Sequence, residues 1–261
     1  MDRSDTTGPQ RAFHPRDVIM ALGLLTRLPL PASGFAAHDT RAPAQAAWAY
    51  PLVGLVIGGA GVIAAALASG AGLPPAVAAL ITLAVTVLLT GAMHEDGLAD
   101  CADGFWGGWT RDRRLEIMKD SQIGTYGVIA LALTLILRWQ LIALLIGAGA
   151  LAAALIPAAM VSRACMVWAM QRLPHARNSG LSRQTGTPPR AAVIGALGIG
   201  VLAAAFSGAW LGVIVMSLAA TLATGAVAGA KIGGQTGDVL GATQQIVECT
   251  VLMVVCAAAL P

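Results

Sequence analysis

Long apolar runs separated by short polar breaks dominate the chain. Crossing about 30 Å of hydrocarbon takes roughly 20 helical residues, and seven windows are read as spans: 48–69, 75–93, 124–146, 150–170, 191–206, 210–230 and 239–260. The breaks carry turn chemistry, including Gly70-Ala71-Gly72 before Pro74-Pro75, Pro188-Pro189 and Ser207-Gly208. The apolar stretch 18–30 is too short to cross and contains Arg27, so it is expected to lie along the surface. The pattern predicts an all-α polytopic integral membrane protein with about seven transmembrane helices. It comprises an N-terminal segment, 1–47, with an interfacial helix, and a transmembrane domain, 48–261, with polar loops at 94–123, 172–190 and 231–238.

Composition supports this reading. Hydrophobic residues make up 57% of the 261 and charged residues only 11%, against roughly 25% charged in soluble proteins. A soluble globular enzyme, a disordered chain and a disulfide scaffold are excluded. The four cysteines form no CxxC pair, and Cys165, Cys249 and Cys256 fall in apolar runs, where a free thiol acts as a small hydrophobe. The first seventeen residues carry Asp2, Arg3, Asp5, Arg11, Arg16 and Asp17 and do not read as a cleavable signal peptide.

Charge sets the expected orientation. Fourteen of the 16 Lys and Arg residues fall in the N-terminal segment and the three polar loops, whereas the opposite connections have none. Positive charge is retained on the cytoplasmic side, so the N-terminus and the polar loops are expected in the cytosol. This distribution also explains the net charge of +3 without a nucleic-acid partner. The six tryptophans fall near span ends, where indoles prefer to sit. Gly54 and Gly58, and the series Gly225, Gly229, Gly233, Gly237 and Gly241, allow close helix approach. The last three of that series also surround a polar turn where backbone amides could meet a ligand.

Chemistry concentrates in 94–123, which holds seven of the 13 acids. Asp96, Asp100 and Asp103 stand at i, i+4 and i+7, within about 60° on a helix. At the end of a span such carboxylates repel unless a cation joins them. Oxygen ligands without thiolates suit Mg²⁺ or Mn²⁺, and Mg²⁺ commonly shares its shell with substrate phosphates. The alternative is a solvated acidic face paired with Arg111, Arg113, Arg114 and Lys119. His94 fits an interfacial histidine as well as a catalytic one.

Ser121 or Asp120 is positioned to cap the third span, and Thr236-Gly237-Asp238 the seventh, giving two helix N-termini that favour phosphate. Deeper in the membrane, Arg163 and the face shared by Asp238, Gln245 and Glu248 are expected to line the site rather than form a purely structural pair. Arg138, beside Trp139, is expected to snorkel to the far interface without a chemical role.

These blocks resemble a known family. His94-Glu-Asp-Gly-Leu-Ala-Asp-Cys-Ala-Asp-Gly104 and Leu115-Glu-Ile-Met-Lys-Asp-Ser-Gln-Ile-Gly-Thr-Tyr-Gly127 are similar to the signature of the cobalamin synthases, adenosylcobinamide-GDP ribazoletransferases. Ser162-Arg163, Ala176-Arg177-Asn-Ser-Gly-Leu181 and Gly234-Gln-Thr-Gly-Asp-Val-Leu-Gly-Ala242 follow in the family's order, although Asn178-Ser179 and Ser182-Arg183 depart from its pattern. The resemblance implies an Mg²⁺-dependent transferase of the bacterial inner membrane that joins adenosylcobinamide-GDP to α-ribazole, or its 5′-phosphate, and releases GMP.

On that reading Asp96, Asp100, Asp103 and Asp120 are catalytic, the first three as metal ligands. Arg114, Lys119, Ser121, Arg163, Arg177, Thr236, Asp238 and Glu248 are substrate-binding. The partners are the two substrates and the lipid bilayer, with a homo-oligomer allowed. The competing readings are a CDP-alcohol phosphotransferase-like lipid enzyme and a cation-coupled transporter.

Overall fold

The computed structural model describes residues 12–30 and 42–260. Arg3, Arg11 and Arg41 of the charge pattern lie outside the described residues. Among those described, regular structure is helical. The short N-terminal apolar piece forms α1 (Arg16–Leu25), which does more than lie on the surface. Ala21 and Leu25 are buried, and Asp17 accepts the Trp48 indole N–H at 2.6 Å, tying α1 to the 3-10 segment Pro43–Ala49.

All seven apolar windows are helices: α2 (Tyr50–Gly70), α3 (Pro75–Thr90), α6 (Thr125–Gly147), α7 (Leu151–Arg172), α9 (Arg190–Ala205), α10 (Trp210–Ile232) and α11 (Gly237–Ala259). Five are long and apolar enough to span a bilayer unaided, six if α3 is taken with the helix that follows it. α3 and α9 have 16 residues each, about 24 Å at the helical rise and short of the hydrocarbon thickness.

The predicted second span ends early because Gly91 (φ 63°) and Ala92 (φ 57°) are both left-handed. α4 (Met93–Gly107) leaves this corner at 86° to α3. α4 starts inside the bundle, where Glu95 meets Arg138 of α6, and runs out to the polar end, where Asp103 meets the start of α6 and Asp100 lies outside the spanning segments. A left-handed non-glycine residue costs roughly 1–2 kcal/mol, and here that conformation aims the acidic helix.

α7 and α11 form the centre. Their apolar windows are 72% and 83% buried, against 22–39% for the other three long spans. They are also the least apolar of the five, since the outer helices present Leu67, Leu133, Leu202 and Leu222 outward. The inner pair carries Ser162, Arg163, Gln244, Gln245 and Glu248.

Lipid tails give apolar helix faces no reason to associate, so small residues and polar contacts set the packing. A Cβ on Gly54 would overlap the Ala159 carbonyl, and one on Gly58 would lie 2.9 Å from Ile156 Cα, which makes these glycines the α2–α7 crossing. Gly97 and Gly241 form a second crossing. A Cβ on Gly97 would lie 2.8 Å from the Asp238 carbonyl oxygen, and one on Gly241 3.2 Å from His94 Cα. Of the five glycines spaced by four, Gly241 closes against another helix, Gly229 faces open space and Gly233 ends α10 in a left-handed cap.

The polar connections meet at one end of the bundle. α5 (Arg111–Ile117) sends the Arg111 Nε–H to the Ile232 carbonyl at 2.8 Å, and Arg114 donates to the Lys231 carbonyl at 3.0 Å. The loop after α7, which contains α8 (Leu181–Thr185), pairs with the turn before α11 through Ala176 N–H to Gln235 O and Gln235 N–H to Pro174 O, both 2.8 Å.

Candidate active site

The carboxylates of α4 have different environments. Asp103 is buried and accepts the backbone N–H groups of Gly124 and Gly127 at 2.7 and 2.9 Å. It therefore satisfies the first turn of α6 from another helix. Neither Ser121 nor Asp120 performs the capping expected of it: the N-cap of α6 is Gly124, which has no side chain to bond. Thr236 does cap α11, accepting the Val239 N–H at 3.3 Å. Asp96 and Asp100 accept no hydrogen bond among the described residues.

The Gly97–Gly241 crossing brings the first turn of α11 against α4 and adds Asp238 to this group. Asp238 is held by Thr236 Oγ1–H at 3.0 Å and by the Arg177 guanidinium at 3.1 Å. Burial pushes the Asp100 carboxyl from 3.8 up to about 7, reinforced by the charges of Asp238, Asp96 and Asp103 and opposed by Arg177. The carboxylates therefore repel one another around a single point, with one guanidinium as local compensation.

Two cavities flank that point, and Asp96 lines both. The larger, about 250 Å³, lies toward α6 and brings Asp96, Asp100, Lys119, Asp120 and Ser121 together. The smaller, about 140 Å³, lies toward α1 and α7 and is lined by Arg177, Asp238, His94 and Tyr50. Arg114 lines neither. Its guanidinium is taken up by the carbonyls of Gly108 and Lys231 at 2.9 and 3.0 Å, bracing α5 to α10.

Arg163 and Glu248 lie behind the site in a buried polar network. Arg163 donates to its own helix at Ala159 O, 2.9 Å, and stands 3.9 Å from Glu248. The closest cation to Glu248 is Arg138, at 2.8 Å, which also binds Glu95 at 2.7 Å. Gln245 joins Arg138 to Glu95, and Gln244 joins Glu248 to Ser162. The expectation that Arg138 snorkels is overturned, since it is 2% exposed. It stays inside because two carboxylates, from α4 and α11, meet it in the bundle. Such pairing is invisible in the local sequence.

Gln235 was also missed. It is a buried clamp that donates to the carbonyls of Met170 and Leu173 at the end of α7 while accepting Ser182 Oγ–H at 2.9 Å. Its place inside the polar 231–238 turn was the available signal.

Among the described residues no three His, Cys, Asp or Glu side chains form a ready metal cluster. The donor set nevertheless fits magnesium. Mg²⁺ typically takes one or two carboxylates and completes its octahedron with water and substrate phosphate. Asp96 and Asp100 have unengaged oxygens, border open space and carry charge that a cation would relieve.

A family model described as cobalamin-5-phosphate synthase matches residues 17–256. The chain is 44% identical over 245 residues to an adenosylcobinamide-GDP ribazoletransferase of Bradyrhizobium diazoefficiens, covering 92% of this chain and 93% of the relative. It is 46% identical to that of Azorhizobium caulinodans, covering 91% and 94%, and 42% identical to that of Ralstonia nicotianae, covering 93% and 95%. No solved structure matches.

Proposed function

Since the chain belongs to the cobalamin-5-phosphate synthase family, we propose that it joins adenosylcobinamide-GDP to α-ribazole, or its 5′-phosphate, and releases GMP. The observation that carries the assignment to this site is the position of Asp96, shared by two cavities on either side of mutually repelling carboxylates. A transfer between two substrates needs such an arrangement, with both reactants approaching one charge-neutralising centre. Neither alternative gains support: the relatives carry the transferase name, and the acidic cluster is at one end of the bundle rather than its middle.

Asp96 and Asp100 would hold Mg²⁺, with Asp103 behind them. When bound, the ion neutralises the diphosphate and the charge gathering on departing GMP. In the larger cavity Lys119 and Ser121 suit phosphate oxygens, and Arg177 suits them from the other side. The ribazole hydroxyl forms a bond to the corrinoid-linked phosphorus, the bond from that phosphorus to the GMP oxygen breaks, and a carboxylate of the stripe or Asp120 takes the hydroxyl proton. Arg163, Glu248 and Arg114 shape the site through other residues rather than touching substrate.

The protein is a multi-pass membrane protein. We assign it to the bacterial inner membrane with this end in the cytosol, on the strength of the Lys and Arg distribution. Proteoliposomes supplied with adenosylcobinamide-GDP, α-ribazole and Mg²⁺ should release GMP without moving ions across the membrane. Ion flux without GMP would support the transporter instead.

A further inference from the structure

The smaller cavity is walled by residues with unpartnered polar atoms, and the proposed chemistry has no use for two of them, Tyr50 and His94. Tyr50 Oη, His94 Nε2 and Arg177 Nη1 are buried without a hydrogen-bond partner, and all three residues line this one space. Tyr50 and His94 are each 1% exposed. Leaving such groups unpaired costs roughly 1–3 kcal/mol each, and the three residues share the wall of one cavity, so a ligand entering it with small side-chain rotations can supply the missing partners.

Size and lining define the ligand. At about 140 Å³ the cavity is below the 300–1,000 Å³ typical of whole-ligand sites, so it takes one ring system and no corrin. Its walls are largely hydrocarbon and thioether, including Leu25, Met93, Met166, Met170 and Leu240. Asp96 and Asp238 also line it, as residues of the carboxylate centre. The orphaned atoms provide a guanidinium N–H, a phenol and one imidazole nitrogen. Of the two carboxylates in the lining, Asp238 is held by Thr236 and Arg177 and Asp96 is given to the ion in the proposed mechanism, so neither is free to accept the several N–H groups of a guanine edge. A benzimidazole, the base of ribazole, has a single free ring nitrogen as acceptor and hydrocarbon elsewhere.

We propose that this cavity is the acceptor's base pocket: the aromatic ring of the ribazole nucleoside enters between Met93, Met166 and Met170, its ring nitrogen accepts a hydrogen bond from Tyr50 or His94, and its ribose extends toward Asp96 and Asp238. The assignment rests on the ribazole transfer proposed above. Arg177 Nη1 then faces the ribose or its 5′-phosphate while its other amino group stays on Asp238. Methionine walls adapt to rings of different outline, so related benzimidazoles should also bind.

The test uses the full-length protein in detergent micelles with α-ribazole as probe. Titration of the wild type should show saturable α-ribazole binding that free benzimidazole weakens and GDP does not. Tyr50→Phe should raise KM for α-ribazole by about tenfold, the worth of one hydrogen bond, and leave KM for adenosylcobinamide-GDP within about twofold. Met170→Trp, which fills the space, should abolish α-ribazole binding. Displacement of α-ribazole by GDP, or a Tyr50→Phe effect confined to KM for the corrinoid, would assign the cavity to the donor's guanine and overturn the proposal with the transferase reading intact. Absence of GMP release by the wild type with both substrates would instead remove the function on which it rests.

Discussion

Arg138 of α6 donates to Glu95 of α4 at 2.7 Å in a site where neither side chain is more than 8% exposed. Glu95 immediately precedes Asp96, so this ion pair fixes the rotation of the helix that carries the carboxylates. With Glu248 and Arg163 nearby, the network holds two cations and two carboxylates and is locally neutral. Removing one partner leaves an uncompensated buried charge, which typically costs 3–5 kcal/mol.

Arg138→Met should therefore lower thermal stability markedly in detergent and reduce GMP release. Combining it with Glu95→Gln alone, which takes away the one stranded negative charge and leaves Glu248 to Arg163, should recover part of the stability. Recovery of stability without activity would indicate that the pair positions α4 as well as stabilising it. The readouts are the unfolding temperature and kcat.

Asp100 gives a pH signature in metal-free buffer. Its folded carboxyl titrates near 7 and its ordinary value is 3.8, so between roughly pH 4 and 7 the folded state binds a proton that the unfolded state does not. Stability contributed by that proton is present at the low end of this window and is lost as pH rises through 7. The wild type should melt at a higher temperature at pH 5 than at pH 8, and Asp100→Asn should flatten this dependence. After discounting for solvent screening the effect is on the order of 1 kcal/mol, about 2–4 °C. Mg²⁺ at pH 8 should restore the loss in the wild type only.

Asp103 should behave differently from its neighbours because both its oxygens are engaged by the amides of Gly124 and Gly127. Asp103→Ala removes a cap and should cost about 0.5–2 kcal/mol, whereas Asp96→Asn should abolish turnover with little change in melting. Parallel melting curves and GMP assays would separate the two roles.

Gly97→Ala should impair the enzyme without altering any polar group. The added Cβ would meet the Asp238 backbone at 2.8 Å and push α4 from the first turn of α11. GMP release should fall by an order of magnitude or more, given how steeply transfer depends on placement of reacting groups. Gly229→Ala, which faces open space, is the matched control and should remain active.

Much of this architecture was legible in residue order. Each apolar window is a helix, and Asp96, Asp100, Lys119, Asp120 and Ser121 meet in one cavity, because both patterns arise from local periodicity or short chain separation. The contribution of Arg177 and Asp238 was accessible through motif resemblance. What escaped was long-range: Arg138 with Glu95 and Glu248 joins residues 43 and 110 positions apart, and an arginine beside a tryptophan looks locally like an interfacial anchor. The early end of the second span was also hidden, since a left-handed Ala92 contradicts that residue's own preference for helix.

GMP release measured across an Mg²⁺ titration, for the wild type and Asp96→Asn side by side, addresses the metal-supported transfer most directly. The wild type should be silent in chelator, recover saturably as Mg²⁺ is added and require both substrates, while Asp96→Asn stays near background at every concentration. Full turnover in chelator, or a normal titration by the variant, would contradict a mechanism in which the α4 carboxylates hold the ion that lets GMP depart.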